Sequence, residues 1–287
     1  MEIRRFRWVG GVLLGVAALA LALTPDVDAA RSRRQQPRIG LQLYSVRDDC
    51  ARDLPGVLKA VAAMGYQGVE FAGYYGRSAE ELRKLLDENG LVCCGTHIGL
   101  ETLLGDQFEA TVRFNKTLGN KFLIVPGLPA ERTASRQAWL ETARLFNEIA
   151  KKLEPHGMYV GYHNHTVEFK PLDNELPWDT FFGNTDKRVV MQFDTGNALA
   201  GGAEAAPFLR RYPGRALTVH IKEHSATNDK ALVGEGDVKW AEILSLLRRT
   251  ANTEWYIIEQ ESYAYPPLEC VEKCLRNFEK LLAQQRR

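Results

Sequence analysis

The 287-residue chain is 45% hydrophobic and 25% charged, the balance of a soluble globular protein with room for one large domain or two small ones. Six of the 37 Lys and Arg and three of the 36 Asp and Glu lie in residues 1–36, which leaves 31 against 33, a net charge of −2, from residue 37 onward. The basic excess that marks nucleic-acid binding is therefore missing, and no nucleic-acid partner is expected.

In chain order the first feature is basic and then apolar. Arg4, Arg5 and Arg7 precede WVGGVLLGVAALALAL (8–23), an uncharged run of 16 residues followed by the small residues of TPDVDAA. A membrane-spanning helix needs roughly 20 apolar residues, so this run is expected to be the core of a secretory signal. Residues 1–36 are accordingly a signal peptide and short linker, and the mature chain is exported to the periplasm or beyond with no stable membrane span; an uncleaved anchor is the rival. The Arg4–Arg5 pair resembles a twin-arginine signal, and the export route stays open.

From residue 37, short apolar runs alternate with longer amphipathic stretches. The runs are RIGLQLYS (38–45), GVEFAG (68–73), LVCCGTHIG (91–99), KFLIVPG (121–127), MYVGYHNH (158–165), RVVMQFDTGN (188–197), ALTVHIKEH (216–224) and EWYIIEQES (254–262). Helical spacing is clearest in residues 134–157, where Ala138, Leu140, Ala143, Leu145, Phe146, Ile149 and Leu153 recur. Strands buried on both faces and separated by helices imply a parallel sheet. Eight such units predict an α/β fold, a single-domain (β/α)8 TIM barrel over residues 37–287. An open doubly wound sheet is the alternative, but GxGxxG is absent after the first strand.

Five cysteines cannot all pair within one chain. Cys93 and Cys94, inside an apparent strand, are expected as buried thiols, and a bridge involving Cys50, Cys270 or Cys274 is left open.

Polar residues collect at the C-terminal ends of the runs, the face on which barrel enzymes build their sites. They are Glu70, His97, His163, His165 and Glu168, then Asp194 and Asn197, His220 and Lys222, and Glu259 and Glu261. Each alone has a plain explanation, such as a satisfied histidine, a turn cap at Asp194 or a solvated rim glutamate. Converging together, carboxylates and imidazoles repel or stay unsatisfied unless a cation or polar ligand organises them. Oxygen-rich sites with one or two imidazoles suit one divalent ion such as Mn²⁺, Mg²⁺, Co²⁺ or Zn²⁺.

The motifs GLQLYSVRDD, GVEFAGYYG, YHNHTVEF, FDTGN, HIKEH, VGEGDVKW and IIEQES, in this order over residues 38–285, resemble the xylose isomerase-like TIM barrels described as sugar phosphate isomerases/epimerases. The resemblance implies one divalent metal ion held by a Glu, an Asp, a His and a second Glu. The last three fall on Asp194, His220 and Glu259. At the first ligand position the chain departs from the epimerase pattern, because GYHNH offers His163 while Glu168 lies five residues further on. Glu168 is the expected ligand, restoring the two-Glu set if the chain folds back over the mouth, and His163 is the alternative.

The family chemistry implied is proton abstraction next to a metal-bound carbonyl of a sugar or keto-sugar. Glu168 or Glu259 serves as base with His163 and His165 as further catalytic groups. Glu70, His97, Lys222 and Glu261 bind substrate. The leading expectation is a sugar isomerase or epimerase. The alternatives are a carbon–oxygen lyase or hydratase on a 3-keto sugar or glycoside, and a non-catalytic sugar-binding barrel that keeps its metal. Export favours an unphosphorylated sugar, and a homo-oligomer is left open.

Overall fold

The computed structural model describes residues 36–285 and Glu2. The expected signal segment therefore lies outside the described residues except at its edges, and residues 37–287 form one compact unit.

Eight strands alternate with helices in this unit: β1 (Arg38–Gln42), α1 (Arg47–Met64), β2 (Gly68–Phe71), α2 (Ala79–Glu88), β3 (Val92–His97), α3 (Phe108–Leu118), β4 (Phe122–Val125) and α4 (Arg136–Leu153). There follow β5 (Tyr159–His163), α5 (Pro177–Phe182), β6 (Val190–Asp194), α6 (Thr195–Ala200), α7 (Ala205–Arg211), β7 (Thr218–Ile221), α8 (Trp240–Thr250), β8 (Trp255–Ile258) and α9 (Pro267–Gln284). The strands pair in sequence order and the barrel closes where β1 meets β8, with Gly40 opposite Ile257. All eight expected strands are present, each shorter than its apolar run because the polar ends belong to the loops.

Strand alternation sorts the residues into layers. On β6, Val190, Gln192 and Asp194 step upward along the inward face, while Met191 and Phe193 join the outer core. The lower interior is apolar, built from Cys94, Phe122, Ile124, Val190, Trp255 and Ile257. Gly68 makes room there: a Cβ on it would stand 2.8 Å from the Trp255 ring. Above lies a polar layer of Gln42, Glu70, Gln192 and Thr218, all fully buried, and above that the residues of the mouth.

The outer core fixes the two strands that matter most for the site. Trp139 and Phe146 of α4 and Trp178 and Phe181 of α5 pack on Tyr162 of β5, and Trp178 meets Phe193 of β6 edge to face at 5.4 Å. Each such buried aromatic contributes about 1.5–3 kcal/mol relative to an exposed one. Helix α4 begins where the Ser135 hydroxyl accepts the Ala138 N–H at 3.1 Å, an N-cap. Its buried face is Trp139, Thr142, Ala143, Phe146, Ile149, Ala150 and Leu153, so Ala138, Leu140 and Leu145 flank the stripe instead of forming it.

All five cysteines are free and buried, so no bridge joins Cys50, Cys270 or Cys274. Among the described residues no helix is long and apolar enough to cross a membrane.

Candidate functional site

Four side chains converge at the C-terminal end of the barrel: His163 from β5, Asp194 from β6, His220 from β7 and Glu259 just past β8. One ligand-grade atom from each lies within 4.8 Å of all the others, and all four residues are buried. The neighbouring strands place them there by register, since Asp194 pairs with His220.

Local hydrogen bonds hold Asp194 in place. Its Oδ1 accepts the Asn197 N–H at 2.6 Å and caps α6, while the Asn164 side chain clamps the Asp194 backbone through bonds of 2.8 and 3.0 Å. Asp194 Oδ2 is buried and unpartnered, and so is His163 Nδ1. Buried polar atoms are rarely left without a partner, because each costs about 1–3 kcal/mol. Two such atoms in one cluster, beside a carboxylate and a second imidazole, form an N/O donor set that fits a divalent cation.

Electrostatics tie the cluster together. Burial and the imidazoles of His220 and His97 hold His163 well below the usual histidine range. Burial also acts against charge on His220, but Glu259 and Glu70 outweigh it and raise the ring well above that range. Burial pushes Glu259 up, yet Lys222 and His220 pull it well below an ordinary carboxylate. Lys222 Nζ sits 3.5 Å from Glu259 and 2.5 Å from Glu261.

Above the cluster opens a cavity of about 300 Å³. His97, His163, His165, Glu259 and Glu261 supply its polar lining, and Tyr44, Ile98 and Pro126 supply apolar surface. His97, Glu261 and Lys222 thus stand in or beside the space where substrate contacts were expected.

Two expected residues stand elsewhere. Glu168 does not fold over the mouth: its carboxylate accepts the Tyr162 hydroxyl at 2.6 Å and the His165 N–H at 2.9 Å. Tyr162 is the outward-facing neighbour of His163, so it draws Glu168 into the outer layer, and His163 takes the place in the cluster expected for Glu168. Glu70, expected to bind substrate, is fully buried in the polar layer below the cavity and is not among the residues that line it. Its carboxylate oxygens meet Gln42, Gln192, His97 and His220. Gln42, Gln192 and Asn164 were not singled out from sequence. The available signal was parity, because Gln192 lies two residues before Asp194 and therefore on the same face.

A closed (β/α)8 barrel with a buried acid and imidazole cluster at its C-terminal mouth defines a class of metal-ready barrel sites. The chain belongs to the xylose isomerase-like TIM barrel family, whose model matches residues 58–281. It is similar to the rhizopine catabolism protein MocC of Rhizobium meliloti, with 22% identity over 71% of this chain and 73% of that protein. It is similar to the inosose dehydratase of Geobacillus kaustophilus, with 26% identity over 65% of this chain and 69% of that one. A solved sugar phosphate isomerase/epimerase from Parabacteroides distasonis shares the fold with a TM-score of 0.74 at 22% identity, covering 85% of this chain and 98% of that one.

Proposed function

We propose that the chain is a divalent-metal-dependent enzyme that removes the proton beside the carbonyl of an unphosphorylated keto-sugar and expels an oxygen substituent from the next carbon. It is thus a carbon–oxygen lyase of the dehydratase kind. The observation that carries this reading is the convergence of His163, Asp194, His220 and Glu259, two of them with a buried unpartnered atom, at the floor of the cavity.

Those four residues would hold the cation, which when bound supplies a Lewis acid for the carbonyl oxygen. Glu259, with the Lys222 ammonium 3.5 Å away, is placed to take the proton. Lys222, beside it, donates a hydrogen bond to a substrate oxygen as negative charge develops. His165, exposed and also lining the cavity, is available to deliver a proton to the leaving oxygen.

Elimination is favoured over epimerisation by the place of Glu168. Inversion at one carbon needs proton removal on one face and return on the other, for which the epimerase pattern supplies two glutamates. Here Glu259 and Glu261 both come from the end of β8, and the expected partner Glu168 is engaged by Tyr162 and His165 in the outer layer. The relative named inosose dehydratase supports the same outcome. Among the residues lining the cavity there is no Arg or Lys to receive a phosphate. An unphosphorylated substrate also agrees with the export expected from residues 1–36.

The test is incubation of the purified protein and Mn²⁺ with keto-sugars and keto-glycosides in D₂O. Loss of water or of an aglycone, with a new ultraviolet-absorbing enone, supports the lyase. Deuterium at a single inverted carbon with no elimination replaces it with the epimerase. Binding with neither exchange nor product leaves a sugar-binding barrel.

A further inference from the structure

The polar layer beneath the site is organised around one carboxylate. Glu70 is fully buried, and every group that meets it presents a nitrogen: Gln42 Nε2 at 2.8 Å, Gln192 Nε2 at 2.8 Å, His220 Nε2 at 2.6 Å and His97 Nε2 at 3.1 Å. The two amides cannot turn their oxygens inward without loss. Gln42 Oε1 accepts the Tyr44 N–H at 3.1 Å, and Gln192 Oε1 lies 2.7 Å from His97 Nε2 while its Nε2 also reaches Thr218 Oγ1 at 3.0 Å. The space for the carboxylate is itself built by a glycine, since a Cβ on Gly95 would stand 2.2 Å from Glu70 Oε1.

We infer that Glu70 is the positioning residue of the metal site: by accepting the Nε2–H of His220 it fixes that ring so that Nδ1 presents its lone pair to the cation. The other side of the His220 ring agrees with this, because Nδ1 is the atom that faces Glu259 at 3.1 Å and Asp194 at 3.7 Å. Histidines that bind metals commonly donate their second ring N–H to a carboxylate, which fixes the tautomer and orientation and strengthens the ligand. Glu70 touches neither cavity nor cation in this role. Gln42, Gln192 and Gly95 act one step further out by holding Glu70 itself.

This inference rests on the cation site proposed above, and its test separates the two. In Zn²⁺-loaded protein with ¹⁵N-labelled histidine, long-range ¹⁵N–¹H correlation should show His220 bound through Nδ1 with a retained Nε2–H; ligation through Nε2 overturns the inference. Glu70→Gln sets an amide N–H against one of the donors around it, whichever way the amide turns, and should lower Zn²⁺ affinity about 10–100-fold, read by competition with a chromophoric chelator. Gly95→Ala, which displaces the carboxylate without changing any donor, should lower it in the same direction. Folded variants that bind within about twofold of the wild type overturn the role of Glu70 on the scale expected for such outer partners. The wild-type spectrum decides the matter even where a variant does not fold. Failure of the wild type itself to take up Zn²⁺ overturns the cation site and this inference with it, whereas equal affinity of variant and wild type removes only the latter.

Discussion

The carboxylate of Asp194 faces the imidazole of His220 across 3.7 Å, Oδ2 to Nδ1. That gap is too wide for a hydrogen bond, and Oδ2 has no other partner although it is buried. The same carboxylate spends its second oxygen on the Asn197 N–H. A residue that only capped α6 would gain nothing from keeping Oδ2 away from water, so the arrangement is that of a ligand whose orientation is set by a cap.

Asp194→Ala should therefore cost little in fold and much in metal. Loss of the cap costs about 1 kcal/mol. In the wild type a divalent ion at 100 times its Kd adds about 2.7 kcal/mol, or roughly 5–10 °C in Tm at 2–4 °C per kcal/mol for a domain of this size. In Asp194→Ala, calorimetry with and without Mn²⁺ should show no such shift. A shift of wild-type size would remove Asp194 from the cation site.

His163 and Glu168 are told apart by the same measurement. His163→Ala should abolish metal uptake. Glu168→Gln should bind metal as the wild type does but unfold more easily, by about 1–3 kcal/mol, because an amide cannot accept from both Tyr162 and His165. Elemental analysis of the two purified variants checks this, and metal lost from Glu168→Gln but kept in His163→Ala would restore the ligand set expected from sequence.

The barrel was legible because each strand is an apolar run ending in polar residues, and the run order matches the strand order. Asp194, His220 and Glu259 were legible for the same reason, standing at or just past strand ends with the right parity. Glu168 was misplaced because the sequence after His163 does not say to which side the loop turns, and the deciding contact is the outward hydroxyl of Tyr162. Glu70 was seen but assigned to substrate binding, since its depth depends on Gly95 and on partners from β1, β6 and β7. Gln42 and Gln192 look unremarkable in sequence, each being one polar residue within an apolar run.

Glu223 belongs to the HIKEH motif, yet its carboxylate serves the loop that follows β7. It accepts the N–H groups of His224, Gly234 and Val238 and the Trp240 indole N–H, at 2.7–3.1 Å. Glu223→Ala leaves these donors without their acceptor and should cost on the order of 3 kcal/mol. At 2–4 °C per kcal/mol this is a fall of about 6–12 °C in Tm, with metal affinity preserved if the site is independent of the loop. Thermal unfolding monitored by circular dichroism, with the chelator competition run alongside, reads both.

The cysteines give a prediction in pH. Burial pushes the thiols of Cys50 and Cys274 up to about 12, so near pH 8 almost none of either is thiolate. The folded protein should react negligibly with a disulfide reagent at pH 8, and all five thiols should appear once it is denatured. The sign of the stability change follows from the raised values. The unfolded chain releases these protons near pH 8.5 while the folded chain holds them to about 12, so stability is full below pH 8.5 and falls as pH rises between those values. Urea unfolding at pH 8 and pH 10 checks the direction: the midpoint should drop, and the drop should shrink in a variant carrying Cys50→Ala and Cys274→Ala. An equal drop in that variant would assign the alkaline loss to other groups, while rapid labelling of the native protein at pH 8 would contradict the burial of the thiols.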